Sequence, residues 1–251
     1  MIPVDDPTTL SLLFHLNSEP WLNDEAYAAA YKVDYRTVGP SESALPLPVP
    51  SDSALARLIH DRCSVRRFEK RKMPIETLST LLWAANGLTR QAELPDGVSC
   101  INRSVPSAGG LYPLEIYLLV QRLEATPGGL YHYGVWDHTL EPVQTGATFE
   151  DFRPATLAYP FFEDANVVLF LAAVFARTQR KYGPRGYRYI LLEAGHAAQN
   201  ICLAATEKGL GSLCIGGYLD GKLNRMLSLD PAKEGVVYAV AVGFPSPAAN
   251  P

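Results

Sequence analysis

Arg177-Thr178-Gln179-Arg180-Lys181-Tyr182-Gly183-Pro184-Arg185-Gly186-Tyr187-Arg188-Tyr189 holds five basic side chains and three phenols in 13 residues, with no acid, in a chain whose formal charge is −4. Lys181 stands beside Tyr182, and a neighbouring cation favours phenolate over phenol. A phenolate held in this way can take a weakly acidic C–H proton, which makes Lys181 and Tyr182 candidate catalytic residues. The same composition also suits a solvated basic loop with tyrosines stacked on arginines, and the segment alone leaves both readings open.

Two further segments have ligand-binding chemistry. Arg62, Ser64 and Arg66 recur at every second residue, so an extended backbone points all three to one side. Two guanidiniums and a hydroxyl make a phosphate clamp, although a basic turn after a helix would read the same way. In Pro106-Ser107-Ala108-Gly109-Gly110-Leu111-Tyr112-Pro113, two glycines allow backbone amides to approach a flat ligand. No Gly-Lys-Ser/Thr follows, and Ser107 lacks the glycine two residues earlier that a hydrolase elbow needs. Gly209-Leu210-Gly211 and Gly216-Gly217 are weak nucleotide motifs but allow a second close backbone approach. His132 and His138 flank a turn at a spacing unsuited to a shared metal and are assigned to packing; His196 reads as a hydrogen-bonded helix residue. No metal site is expected.

These residues need a frame. With 251 residues, 47% of them hydrophobic, the chain can bury a sizeable core. We expect an N-terminal arm and proline-rich strap over 1–50 and a single body over 51–251, the strap lying on the body. The arm has helical tendency between Asn23 and Tyr31. In the body, the patterns predict helices over Ala54–Asp61, from Pro74 to Asn86, over Tyr187–Lys208 and over Lys222–Leu227. Strands are expected over Leu114–Val120, Gly129–Tyr133, Thr139–Val143, Val167–Phe175, Leu213–Tyr218 and Val236–Phe244. Small residues around the long helix, Ala194, Gly195, Ala197, Ala198, Ala204 and Ala205, suit close packing on several sides, with Ala198 expected to matter to a subunit interface. The slight acidic excess argues against a nucleic-acid binder, and no secretory signal or membrane span is visible. Cys63, Cys100, Cys202 and Cys214 form no Cys-x-x-Cys pair and read as reduced thiols in a cytoplasm.

In order, Arg62-x-Ser64-x-Arg66-x-Phe68, Leu78 to Gly87, Pro106 to Pro113, Gly129-Leu130-Tyr131-His132-Tyr133, Lys181-Tyr182-Gly183, Gly195-His196-x-x-Gln199-Asn200 and Gly209-Leu210-Gly211 resemble the SagB/ThcOx-type dehydrogenases of the nitroreductase superfamily. The resemblance runs from Phe14-His15 to Phe244. It implies an α+β fold, a mostly antiparallel sheet flanked by helices, and a homodimer with two FMN sites at its interface. By the family pattern Arg62, Ser64 and Arg66 would hold the phosphate and ribityl chain. Pro106, Ser107, Ala108 and Gly109 would line the flavin from one subunit, and Gly216 and Gly217 would lie near its reactive edge. Azoline-oxidising members carry a Lys-Tyr pair, matched by Lys181 and Tyr182. The implied reaction converts thiazolines or oxazolines of a peptide or carrier-bound substrate to thiazoles or oxazoles, a base removing the ring proton while the cofactor takes the hydride. An NAD(P)H-dependent nitro- or quinone reductase and a non-catalytic flavin-binding scaffold subunit are the alternatives. Two departures stand out. Phe244-Pro245-Ser246-Pro247 has no basic residue for the flavin phosphate, and with no appended peptide-recognition domain the substrate is expected to be presented by a partner protein.

Overall fold

Val167-Val168-Leu169-Phe170-Leu171-Ala172-Ala173-Val174 is apolar at every position, so a strand made of it has to be covered on both faces. In the computed structural model, which describes residues 9–18, 45–93 and 99–247, this segment is the centre of the main sheet. The elements in chain order are α1 Thr9–Asn17, α2 Ala54–Asp61, α3 Ile75–Asn86, β1 Leu88–Glu93, β2 Ser99–Arg103, β3 Leu114–Val120, β4 Gly129–Gly134, β5 Thr139–Thr145, α4 Phe149–Phe152, β6 Val167–Val174, α5 Phe175–Tyr182, α6 Arg185–Glu207, β7 Gly211–Ile215, α7 Asp220–Met226 and β8 Glu234–Gly243.

Six strands pair antiparallel in the order β5-β4-β3-β6-β8-β7, and β1 with β2 forms a separate hairpin. The period of two divides β6 cleanly. Val167, Leu169, Leu171 and Ala173 face a core built with α3 and α6, while Val168, Phe170 and Ala172 face one built with α4, α7 and the aromatics Phe149, Phe152 and Phe162. The architecture is therefore the expected α+β fold, an antiparallel sheet with helices on both faces.

Helix α6 is the spine. Its buried side, Ile190, Ala194, Ala197, Ala198, Ile201 and Ala205, is mostly alanine, which lets the helix lie close to the sheet and to α3. Ala198 is 2% exposed within the chain's own core, so it serves this packing rather than a subunit surface. The opposite side leaves Leu191 and Leu192 uncovered, with Gly195 facing open space. Helix α2, capped by Ser53 accepting from the Ala56 amide at 3.1 Å, also buries none of its residues. The strap does not lie on the body over its described part: Leu45, Leu47 and Val49 are 84–91% exposed. Prolines hold that stretch extended, but nothing among the described residues covers it. The expected helix between Asn23 and Tyr31 falls outside the described residues. Helix α1 packs His15 against Tyr187, with Nδ1 2.9 Å from the phenol oxygen.

Two expectations change. The polar stretch after α3, between the helix ending at Asn86 and the strand starting at Leu114, forms the β1–β2 hairpin where the sequence predicts no element, and much of the basic segment is not a loop. Phe175–Tyr182 is a helix, α5, entered straight from β6. Gly183 ends it at φ +56 and Pro184 caps α6. Helices α5 and α6 cross so closely that a Cβ on Gly186 would stand 2.9 Å from the Gln179 Cα.

Candidate functional site

Helix α5 begins on the central strand, and this fixes where its last turn falls. Arg180 and Lys181 there suit the negative end of the helix dipole. Lys181 Nζ lies 5.4 Å from the Tyr182 ring centroid, and that ring meets Tyr189 edge-on at 5.0 Å. Both polar ends converge on the glycine loop. A Cβ on Gly109 would be 2.7 Å from Tyr182 Oη and 2.8 Å from Lys181 Nζ. With φ at +65, Gly109 also has a backbone that a side chain would strain. Glycine there lets the phenol and the ammonium sit against the backbone.

The loop is held from several sides. Ser107 Oγ accepts from the Tyr112 amide at 2.9 Å, and Ser107 O accepts from the Gly110 amide at 3.1 Å. Tyr112, itself at φ +43, accepts at its phenol from the Arg103 amide at 3.1 Å and at its carbonyl from Arg177 Nη1 at 3.2 Å. Arg177, one turn before Lys181, also pairs with Glu115 at the start of β3. Asn200 of α6 donates to the Ser104 carbonyl at 3.2 Å and so ties the entry to the loop to the spine. Beneath the loop, Glu193 is 2% exposed, receives a hydrogen bond from Ser107 and has Oε1 with no partner. Burial pushes its carboxyl up to about 7.

A cleft of about 630 Å³ opens on the other side of the loop, between α5 and the β4–β5 hairpin. His132 sits there between two carboxylates, Nε2 3.0 Å from Glu115 and Nδ1 2.8 Å from Glu141. The hydrogen bond to Glu115 outweighs burial and raises its pKa. Burial alone would raise Glu115, but His132 and Arg177 hold it below the usual carboxylate range. Sequence reading had placed His132 with packing residues. Its cross-strand partner Glu115 was the missing signal, since His132 lies in register with Tyr117 two residues further along β3.

The predicted phosphate clamp is elsewhere. Ser64 bridges Ser212 of β7 in parallel, and the Val65 amide donates to the Ser212 carbonyl at 2.9 Å. Val65 points inward against Gly211, where a Cβ would come within 2.6 Å of it, which leaves Arg62, Ser64 and Arg66 to the outer side. Ser64 and Arg66 are exposed, and Arg62 is half-buried. Arg66 has one bond, Nη1 to the Ser64 carbonyl at 3.5 Å, and neither arginine has an ion pair among the described residues. Just past the end of β7, Gly216 and Gly217 have nothing within 4 Å of where a Cβ would stand. Unspent guanidiniums beside a bare backbone fit a phosphate joined to a flat ring. Two arginines adjoin the chain after β8: Arg67 O accepts from the Ser246 amide at 3.0 Å, and the Arg71 guanidinium lies 4.1 Å over the Phe244 ring. No hydrogen bond or ion pair among the described residues joins this arm to the Gly109 cluster. Cys63, Cys202 and Cys214 are free thiols, no metal-binding group occurs among the described residues, and none of the described helices is long and apolar enough to cross a membrane.

Known proteins with this arrangement bear on what it is. A protein of Methanocaldococcus jannaschii named a nitroreductase is 34% identical over 183 residues, 73% of this chain and 88% of the relative. The microcin B17-processing protein McbC of Escherichia coli is 34% identical over 172 residues, 64% of this chain but 59% of that longer protein. Among solved structures, the E. coli microcin synthetase McbBCD complex with truncated pro-MccB17 bound contains a chain with a TM-score of 0.63 at 26% identity, covering 91% of this chain and 83% of that one. The nitroreductase family profile matches residues 59–244, from the end of α2 through the end of β8, and so takes in the Arg62–Arg66 arm, the glycine loop and the Lys-Tyr pair. The chain belongs to the nitroreductase family.

Proposed function

We propose that this chain is an FMN-dependent dehydrogenase that oxidises thiazoline or oxazoline rings of a peptide or carrier-bound substrate to thiazoles or oxazoles. The observation that carries the reading is the convergence of Lys181 Nζ and Tyr182 Oη on Gly109. Two residues of basic and phenolic type meet at one point of the loop assigned to the flavin, where a general base has to be. Tyr182 Oη takes the ring proton, and Lys181, whose Nζ meets the same point of the loop, orients the ring. When bound, FMN supplies the acceptor for the two electrons and the hydrogen that leave with them. Arg62, Ser64 and Arg66 would hold its phosphate, Pro106, Ser107, Ala108 and Gly109 would lie along one side of the ring, and Gly216 and Gly217 near its reactive edge.

The separation of arm and loop within one chain supports a homodimer in which the loop of one subunit faces the arm of the other. The exposed Leu191, Leu192, Leu55 and Ile59 give such a dimer an apolar contact. Leu192→Glu should turn the dimer into a monomer by light scattering and cost flavin. A tight-binding monomer would refute the shared site. The likeness to McbC, a microcin B17-processing protein, and to a chain of the McbBCD complex with truncated pro-MccB17 bound supports a peptide substrate delivered within an assembly.

Purified protein should be yellow and release FMN, identified by mass. It should then be given an azoline peptide with an electron acceptor, and separately NADH with a nitroarene. Azole formation without NADH is the expected result. Nitroarene reduction alone makes it a nitro- or quinone reductase, and flavin binding with neither activity makes it a scaffold subunit.

A further inference from the structure

The cleft beside the glycine loop contains more positive charge than its own acids consume. Three arginines line it, Arg103, Arg177 and Arg180, against Glu115 and Glu141. Both acids are already engaged: Glu115 by Arg177 and His132, and Glu141 by the other nitrogen of His132. Arg103 and Arg180 therefore have no carboxylate at ion-pair distance among the described residues. Arg103 is the more telling of the two. It is half-buried, its guanidinium lies 4.8 Å over the Tyr112 ring, and its buried Nε has no acceptor. A guanidinium taken partly out of water with a donor left over is costly unless an anion comes to it. Burial lowers its pKa, against the pull of Glu115. At the lip of the cleft Trp136 is 62% exposed, a flat surface on which a peptide can lie.

The position adds a direction. The wall formed by Gly110, Leu111 and Tyr112 continues the loop whose Gly109 meets the Lys-Tyr pair, and Arg180 directly precedes Lys181. None of the residues assigned to the flavin lines the cleft. A chain entering toward Tyr182 from this side passes Trp136 and then the two unpaired arginines. We infer that the cleft binds a carboxylate of the peptide substrate, an acidic side chain flanking the reacting ring, with Arg103 and Arg180 as the groups that read it. The inference rests on the proposed peptide substrate but not on the chemistry done there.

The test uses the full-length protein with its flavin and short fluorescein-labelled Gly/Ser peptides, followed by anisotropy. One peptide carries a single Asp and an amidated C-terminus, its twin has Asn in that place, and a third has Asn with a free C-terminal carboxylate. Charge-assisted hydrogen bonds of this kind predict a preference of about tenfold or more for the Asp peptide over its Asn twin, shrinking as salt is added. Arg103→Met and Arg180→Met should each erase most of that preference while leaving the Asn peptide's affinity as it was. Arg180 lies on the exposed side of α5, so its variant answers even if Arg103→Met fails to fold. Equal affinity for Asp and Asn peptides, or a preference that survives Arg180→Met, overturns the inference. A preference shown by the free C-terminus and not by Asp replaces the side chain with a chain end and overturns it in that form. Flavin absorbance is read in parallel. Loss of flavin from Arg180→Met would give the cleft to the cofactor and refute a peptide site, whereas an Asp preference in a protein that never oxidises an azoline would leave the cleft standing and sink the proposed reaction.

Discussion

The Gly109 cluster and the Arg62–Arg66 arm both lie outside the packed cores, yet they are built in opposite ways. Around Gly109 a chain of side-chain bonds holds the loop: Ser107 with Tyr112, Tyr112 with Arg103 and Arg177, Arg177 with Glu115, Glu115 with His132. The segment Arg62–Arg66 is fastened by Val65 and its backbone bond to β7, and neither of its arginines Arg62 and Arg66 has an ion pair among the described residues. A base has to be in place before the substrate arrives, since a misplacement of about 1 Å costs a large factor in rate. A phosphate grip can be completed by the phosphate itself. The first region should accordingly respond to mutation in turnover and the second in cofactor affinity.

The strongest way to break that contrast is at the pair itself. Tyr182→Phe and Lys181→Ala should each lower azoline turnover by about 100 to 10,000-fold while flavin absorbance and melting temperature hold. Under the proposed mechanism the two act on one proton, so the double variant should be little worse than either single one. Arg185, exposed at the start of α6, is the control. If Arg185→Ala is as harmful as Lys181→Ala, or if all three variants are harmless, the segment is only a basic surface.

The next effect lies beneath the loop. Glu193 carries a folded-state pKa of about 7 against an ordinary carboxylate value of 4.5, burial being the chief cause, with the Ser107 hydrogen bond and Arg103 working against it. The folded state therefore holds a proton that the unfolded chain gives up between these values, so this contribution to stability is complete below 4.5 and lost as pH rises through about 7. The shift corresponds to about 3 kcal/mol at most. Denaturant midpoints measured from pH 4.5 to 8 should fall over that range in the parent and much less in Glu193→Gln. An equal slope in both would mean the carboxyl is ionised under the loop throughout.

Gly109→Ala tests how the loop and the pair share space. The left-handed backbone alone costs about 1–2 kcal/mol for a residue with a Cβ, and the methyl would displace the Tyr182 and Lys181 ends. Turnover should drop about 10 to 100-fold, with flavin binding changed less. The opposite ranking, flavin lost and turnover per flavin kept, would move the pair away from the chemistry.

How much of this could be read in advance divides along the same line. The arm was legible because its logic is local: alternation in an extended segment puts Arg62, Ser64 and Arg66 on one side, and β7 holds it extended. The strands β3, β6 and β8 and the spine α6 were legible from their apolar runs and their bounding glycine. Helix α5 was not, since six of its eight residues are polar, charged or alanine and Gly183-Pro184 follows, so its helicity rests on packing against α6 and α1. The β1–β2 hairpin was hidden in the same way by Arg90, Gln91 and Glu93. Glu115, His132 and Glu193 acquire their roles from partners far along the chain, and no spacing rule marks them. Lys181 and Tyr182 stood out in the sequence, but their meeting at Gly109 and the hydrogen bonds that hold that loop did not.

The smallest expected effect belongs to the arm, and it is the one that separates the regions most cleanly. Arg62→Ala and Arg66→Ala remove cations that have no acid partner among the described residues, so the apo protein should melt close to the parent temperature, most nearly so for the exposed Arg66. Each should weaken FMN by about tenfold, as expected for one charge-assisted contact to phosphate, and the penalty should shrink in high salt. Riboflavin, which has the ring without the phosphate, supplies the discriminating measurement. Its affinity should be the same in the parent and in both variants. If riboflavin weakens in step with FMN, the arm touches the ring or shapes the dimer instead of gripping the phosphate. If neither ligand responds, the phosphate is held elsewhere, and Arg67 and Arg71, which flank the end of β8, become the residues to replace next.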